Sequence, residues 1–183
     1  MTHDPESEHE QDLSDIELML RVRDGDTEAF VPLIQRYQEK LLNFFTRLGV
    51  YHEAEDLVQE TFVRIYRSRK DYREKAKFST YLYVVARNIW RDFLRRTGRY
   101  QDFKTKFQDE LEHREPPRTD DPSTRLDIET ALDKLSDKLR MVMVMKVQQG
   151  LKYQEIADAL DVPLGTVKSR MKLAVDQLKE LMK

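Results

Sequence analysis

Lys168, Ser169, Lys172 and Leu173 share one face of a helical segment, with Thr166 and Arg170 at its margins. That set can grip a polyanion and reach base edges: lysine and arginine neutralise phosphates, while short polar and apolar side chains enter a groove. The other face of the same segment is apolar, with Val167, Met171, Ala174 and Leu178 recurring at helical spacing. Pro163 opens the segment, a residue favoured at the first helical position. Just before it lies a shorter amphipathic stretch with Ile156, Ala157 and Leu160 on one side, where the small Ala157 permits a close crossing. Two helices so spaced, the second apolar inside and basic outside, read as a helix-turn-helix fitted to a DNA major groove.

A second constellation lies between Thr80 and Arg96. Leu82, Val85, Ala86, Ile89 and Phe93 form its inner stripe, and Arg87, Asn88, Arg91 and Arg95 line the opposite side. A row of like charges at near i, i+4 spacing destabilises an isolated helix and is commonly compensated by a polyanion. Ahead of it and at its start come Lys75, Lys77, Phe78, Ser79, Tyr81 and Tyr83. Aromatics interleaved with cations suit single-stranded nucleic acid, since rings stack on unpaired bases while cations follow the backbone. Trp90 and Phe93 read as core; for Phe78, Tyr81 and Tyr83, stacking platform and core residue both fit.

The third feature is a stripe of Asp56, Gln59, Glu60, Val63 and Arg67, opposite an inner stripe of Ala54, Leu57, Val58, Thr61 and Ile65. An ordinary solvated face fits this pattern. So does a docking surface for a basic partner helix, in which complementary charge sets orientation and on-rate.

The elements that carry these faces are helices. Charged residues make up 36% of the 183-residue chain and only 5 glycines occur, which favours helices over a glycine-turned β protein. Without cysteine there is no disulfide framework, thiolate metal site or cysteine nucleophile, and the 4 histidines have no paired ligand spacing. No metal or other cofactor is expected. No apolar run approaches the roughly 20 residues of a membrane span, and the acidic, polar N-terminus does not read as a secretory signal. A cytoplasmic location without direct membrane contact is the expectation.

The net charge of −2 hides segregation. Residues 64–106 hold 14 bases against 4 acids, and residues 130–183 hold 10 against 7. Between them, residues 108–129 hold 8 acids against 3 bases, and residues 1–30 hold 10 against 2. Polyanion affinity follows local lysine and arginine density, so two basic blocks around an acidic spacer suggest two nucleic-acid contacts.

The fold class expected is all-α: two small helical domains joined by an acidic, proline-containing linker, the second a helix-turn-helix. Residues 1–12 read as a disordered acidic tail, residues 13–100 as the first domain, 101–124 as the linker and 125–183 as the second domain. In the first domain Ser14 caps a helix ended by Gly25, and Asp26 caps another that runs to Leu48 with Pro32 expected to kink its first turns. Further helices are expected from His52 to Ser68 and from Thr80 to Arg96, and in the second domain at about 125–135, 137–148, 152–160 and 163–182.

In this order, Asp26-Thr27-Glu28-Ala29-Phe30, Ala54 to Phe62, Phe78 to Asn88, Asp92-Phe93-Leu94-Arg95-Arg96 and the helix-turn-helix resemble a bacterial RNA polymerase sigma factor of the small extracytoplasmic-function group. The likeness spans about residues 15–100 and 126–182. It implies that Asp56, Gln59 and Glu60, with Val63 and Arg67 beside them, dock on the clamp helices of the polymerase β′ subunit, with the β subunit also a partner. It implies that Lys75, Lys77, Phe78, Ser79, Tyr81, Tyr83, Arg87, Asn88, Arg91 and Arg95 hold the melted non-template strand of the −10 element. Thr166, Lys168, Ser169, Arg170, Lys172 and Leu173 then read the duplex −35 element, and an anti-sigma factor is a further expected partner. Tyr81 stands where the family usually has Trp, and Pro163 where a capping Ser is frequent.

Such a protein is a dissociable specificity subunit and not an enzyme. A polymerase-independent helix-turn-helix regulator would explain residues 150–183 but leave the aromatic-basic helix idle. A nucleic-acid enzyme would need a paired-carboxylate metal site, a phosphate loop or a nucleophile–His–Asp set, and none is visible.

Overall fold

The computed structural model describes residues 14–98, 131–132 and 134–181. Every described regular element is helical: α1 (Asp15–Asp24), α2 (Phe30–Arg47), α3 (Ala54–Arg67), a 3-10 turn (Arg69–Asp71), α4 (Phe78–Arg96), α5 (Asp137–Met143) running into a π-helical turn (Val144–Gln148), α6 (Tyr153–Leu160) and α7 (Leu164–Leu181). The acidic tail and the linker expected over 101–124 lie outside the described residues, as do residues 125–130 of the helix expected there.

Local chemistry accounts for the first helices. The Glu17 backbone N–H donates to Ser14 Oγ at 3.3 Å and the Ser14 N–H donates to Glu17 Oε2 at 2.9 Å, a reciprocal cap that satisfies two donors the helix cannot. Gly25 ends α1 in the left-handed region (φ 113°), with its N–H donating back to Arg21 and Val22 carbonyls. Asp26 then accepts the Ala29 N–H at 3.3 Å and pairs with Arg21 at 2.7 Å. Because α2 begins at Phe30, Pro32 falls in its first turn, where an N–H has no intrahelical partner. The expected kink therefore has no cause.

The inner stripe of α3 is buried as expected at Ala54, Leu57, Val58, Thr61 and Ile65, and Phe62 joins it, edge-on to Phe30. The buried Thr61 hydroxyl donates to the Leu57 carbonyl at 2.7 Å. Arg64 spans from α3 to α4, reaching Glu60 at 2.7 Å and Asp92 at 3.2 Å. Leu82, Val85, Ala86, Ile89 and Phe93 of α4 are buried, and so are Tyr83, Trp90 and Leu94. The last three lie one and two turns apart on a second stripe, so α4 is covered on two sides.

In the second domain α6 and α7 form the helix-turn-helix. Asp161 takes the left-handed conformation between them (φ 53°), and its N–H donates to Ala157 and Asp158 carbonyls. The Pro163 carbonyl accepts from Thr166 and Val167, so the proline stands just before the first helical residue rather than at it. Val167 and Ala174 are buried and Met171 and Leu178 half-buried, as their spacing predicts. Leu132, Leu135, Leu139 and Met143 pack with Ala174, Val175 and Leu178 as one small core.

The larger core joins the domains. Met141, Val142, Met145, Leu151, Ile156, Ala157, Ala159 and Val167 belong to the same buried cluster as Leu41, Phe44, Tyr83 and Ala86. The two modules expected on a tether are thus packed face to face, with α6 against α4 and the π-helical turn against α2.

Candidate nucleic-acid interface and docking ridge

On α3, Asp56, Gln59, Val63 and Arg67 are exposed and form a continuous outer ridge. Glu60 is half-buried because its carboxylate holds Arg64 at 2.7 Å and Arg96 at 3.5 Å. Asp56 stands in the first turn of α3, where the positive end of the helix dipole favours an acid. A carboxylate at one end and a guanidinium at the other give the ridge a polarity that an oppositely charged helix can read.

On α4 and its approach, Lys75 is exposed, Arg95 is exposed beside Asp92 at 3.5 Å, and Ser79, Asn88 and Arg91 are half-buried. Lys77 pairs with Glu155 of α6 at 2.9 Å. Arg87 donates through Nη1 to the Ala159 carbonyl of α6 at 2.9 Å and through Nη2 to Asn88 Oδ1 at 3.3 Å. Burial and the neighbouring Arg91 push the Arg87 guanidinium below its ordinary pKa, with Asp161 opposing them. Burial alone would raise the Glu155 carboxyl, but the Lys152 N–H and the Lys77 ammonium outweigh it and leave the group below its ordinary value.

Phe78 and Tyr83, expected to face nucleic acid, are core residues here, each 1% exposed. Phe78 lies one turn before Leu82 on the inner stripe and meets Tyr37 edge-on with ring centroids 5.5 Å apart. Tyr83 packs on Phe44 at 5.2 Å, and its hydroxyl donates to Gln149 Oε1 of the second domain. Burial raises the Tyr83 hydroxyl far above its ordinary pKa, keeping it a neutral donor. Only Tyr81 of the three rings is part-exposed. It stands edge-on to Tyr72 at 5.3 Å, its hydroxyl 3.0 Å from Ser68 Oγ, so the ring is held from two sides.

On α7, Lys168, Ser169, Lys172 and Leu173 are exposed and Thr166 and Arg170 half-buried, which reproduces the expected face and margins. Ser169 Oγ donates to the Thr166 carbonyl at 3.0 Å, and Leu173, 54% exposed, is an apolar group left in water on a basic face. Gln149, Glu155 and Ser68 escaped sequence reasoning because each acts through partners distant in the chain, a relation that periodicity cannot carry. Among the described residues no group of three or more His, Cys, Asp or Glu is placed to hold a metal ion, and no helix is long and apolar enough to cross a membrane.

Residues 33–100 match the family described as sigma-70 region 2, and residues 125–178 match sigma-70, region 4. The chain is 30% identical over 172 residues to the ECF RNA polymerase sigma-E factor of Haemophilus influenzae, covering 88% of this chain and 91% of that one. It is 31% identical over 172 residues to the protein of the same name from Escherichia coli K12, covering 88% and 90%. Its fold is that of CnrH, solved in complex with the cytosolic domain of CnrY (TM-score 0.69, 23% identity, 91% of this chain and 96% of that one). The sigma factor RpoE of Bartonella quintana, solved with the anti-sigma factor NepR, shares it too (TM-score 0.64, 24% identity, 83% and 95%). Matches to both sigma-70 regions, and identity of this extent along nearly the whole chain, establish that it belongs to the extracytoplasmic-function group of RNA polymerase sigma factors.

Proposed function

We propose that the chain is a dissociable sigma factor that directs core RNA polymerase to its promoters and aids strand opening at the −10 element. The observation that carries this reading is the division of three exposed chemistries among three helices: an acid-edged ridge on α3, a basic side on α4 and a basic outer face on α7. The ridge of Asp56, Gln59, Glu60, Val63 and Arg67 docks on the β′ clamp helices. Lys75, Lys77, Ser79, Tyr81, Arg87, Asn88, Arg91 and Arg95 hold the melted non-template strand, with Phe78 and Tyr83 supporting them from the core. Thr166, Lys168, Ser169, Arg170, Lys172 and Leu173 meet the duplex −35 element, and the β subunit steadies the second domain.

Neither basic face grips promoter tightly alone. Docking both on the polymerase fixes their separation and raises the effective concentration of the second contact once the first forms. The protein acts without catalysis, in the compartment of the polymerase, the cytoplasm. An anti-sigma factor is its inhibitor, as for the Bartonella quintana relative. Residues 13–100 and 125–183 serve as the two functional domains and 101–124 as their linker.

Run-off transcription with core polymerase on a genomic fragment library tests the whole reading. Discrete promoter-initiated transcripts are expected only when both are present, and their absence from inhibitor-free protein overturns it. Lys172→Ala is expected to weaken duplex −35 binding and reduce the slope of log affinity against log salt by about 1. An unchanged slope removes Lys172 from the phosphate contacts.

A further inference from the structure

The outer face of α7 is uneven in a way that bears on what it can read. With Val167 and Ala174 buried, a step of about 100° per residue places Gly165 and Ser169 near the middle of the opposite side. Lys168 and Lys172 lie toward one edge of that side, and Leu173 forms the other. The two middle residues are small. Glycine weakens a helix, yet a Cβ at Gly165 would meet nothing within 4 Å, so the chain's own packing does not require glycine there. Small residues along the middle let the helix sink into a groove and bring its edges level with the bases.

Leu173 is 54% exposed and belongs to neither apolar core. Its neighbours one turn away on α7 are Ser169, Arg170, Asp176 and Gln177, none of them apolar. From Thr166 to Leu173 is roughly 10 Å along the axis, about three base-pair rises, so the leucine stands in the part of a recognition helix that meets base edges. Three residues on, Asp176 is exposed near the middle of the same side, where a carboxylate repels phosphate and ends the DNA-facing stretch.

The other side chains of this face discriminate bases weakly or in one sense. Lys168 and Lys172 carry point charges that satisfy a guanine edge or a phosphate alike. Ser169 Oγ has its proton on the Thr166 carbonyl at 3.0 Å, which leaves the oxygen only as an acceptor. Leu173 has no polar atom with which to bond a base edge. The apolar group that a base pair shows in the major groove is the 5-methyl of thymine.

We propose that Leu173 is a specificity residue of the −35 contact: its isobutyl group packs on the 5-methyl of one thymine, on either strand, and selects an A·T pair at that step. The proposal rests on the assignment of α7 to duplex DNA. Contact between the two apolar groups frees the water over each. A cytosine at the same place would set its amino group against leucine and lose a hydrogen bond to water without a replacement. Selection therefore has an attractive and a repulsive part.

The test removes the methyl from the DNA and the isobutyl from the protein in turn. Full-length chain selects duplexes from a random pool at low salt, and each thymine of the selected site is then replaced by uracil, which lacks only the methyl. Replacement at one position should weaken binding about fourfold, and at the other thymines less than about twofold. Leu173→Ala, at an exposed site where thermal unfolding should shift by no more than about 2 °C, should bind the thymine duplex about fourfold more weakly and no longer distinguish it from the uracil duplex. Leu173→Met keeps an apolar side chain of similar length and should keep the distinction. Leu173→Arg should select guanine at the same step.

A selected site in which no uracil weakens binding, or a Leu173→Ala variant that keeps the full sensitivity of the parent, overturns the role of Leu173. The scan needs no polymerase. Methyl coupling in a chain that fails to direct promoter transcription overturns the proposed function and leaves the role of Leu173 standing, and promoter transcription without methyl coupling does the reverse.

Discussion

Asp56→Arg is expected to weaken association with core RNA polymerase about 100-fold or more, from an arginine set against the basic helix that the ridge is proposed to meet. Asp56 is exposed, and among the described residues it has no ion-pair partner. Its carboxylate is therefore available to a partner, whereas that of Glu60 already serves Arg64 and Arg96. Within the chain the exchange costs little: a cation in the first turn of α3 opposes the helix dipole by about 0.3–1 kcal/mol. Thermal unfolding should shift by only a few degrees, and α7-dependent duplex binding by the free chain should be unchanged. Asp56→Asn removes the attraction without adding repulsion and should lose about tenfold or less. Titration of labelled chain with core polymerase reads all three proteins. A folded Asp56→Arg variant that binds within threefold of the parent removes this position from the docking surface.

How much of this was legible beforehand differs from helix to helix for identifiable reasons. The inner stripe of α3 and the two faces of α7 each depend on one periodic signal against one neighbouring layer, and both stand as the spacing predicts. On α4 the same arithmetic found Leu82, Val85, Ala86, Ile89 and Phe93 but treated the side opposite as wholly solvent-facing. Trp90 reads as core from the sequence and Tyr83 fits either reading; with Leu94 they form a second buried stripe, and a helix apolar on two sides is covered by two layers. The other domain supplies part of that cover, through Gln149 at the Tyr83 hydroxyl and the Ala159 carbonyl at Arg87. For Phe78 the sequence fits both a surface ring, from its basic neighbours, and a core residue, four positions before Leu82 on the inner stripe; it is buried. The π-helical turn has no period that a sequence displays, and its contacts with Lys40 and Tyr83 join residues far apart in the chain. Such pairings are set by how two finished surfaces fit, and local pattern does not encode them.

Arg91→Ala separates strand capture from promoter recognition and is expected to lower open-complex formation about 10- to 100-fold while leaving duplex binding within about twofold. Arg91 follows Arg87 by one turn on α4 and is half-buried, so its stem is supported and its guanidinium has limited freedom to lose on binding. A hydrogen bond to a charged group contributes roughly 1.5–3 kcal/mol, which sets the expected range. Arg87 is the less informative target, because its guanidinium also holds the Ala159 carbonyl, and its loss would loosen the packing of α6 on α4 while removing a strand contact. Removing Arg91 leaves that bond in place and relieves a repulsion on Arg87. Arg91→Lys keeps the charge but not the planar fork, and should recover only part of the loss if the contact is bidentate to phosphate. Permanganate footprinting of unpaired thymines reports opening, and gel shift on a fully duplex promoter at low temperature reports recognition. Equal loss in both assays would assign Arg91 to general DNA affinity. Loss of opening alone ties it to the strand that must be held apart.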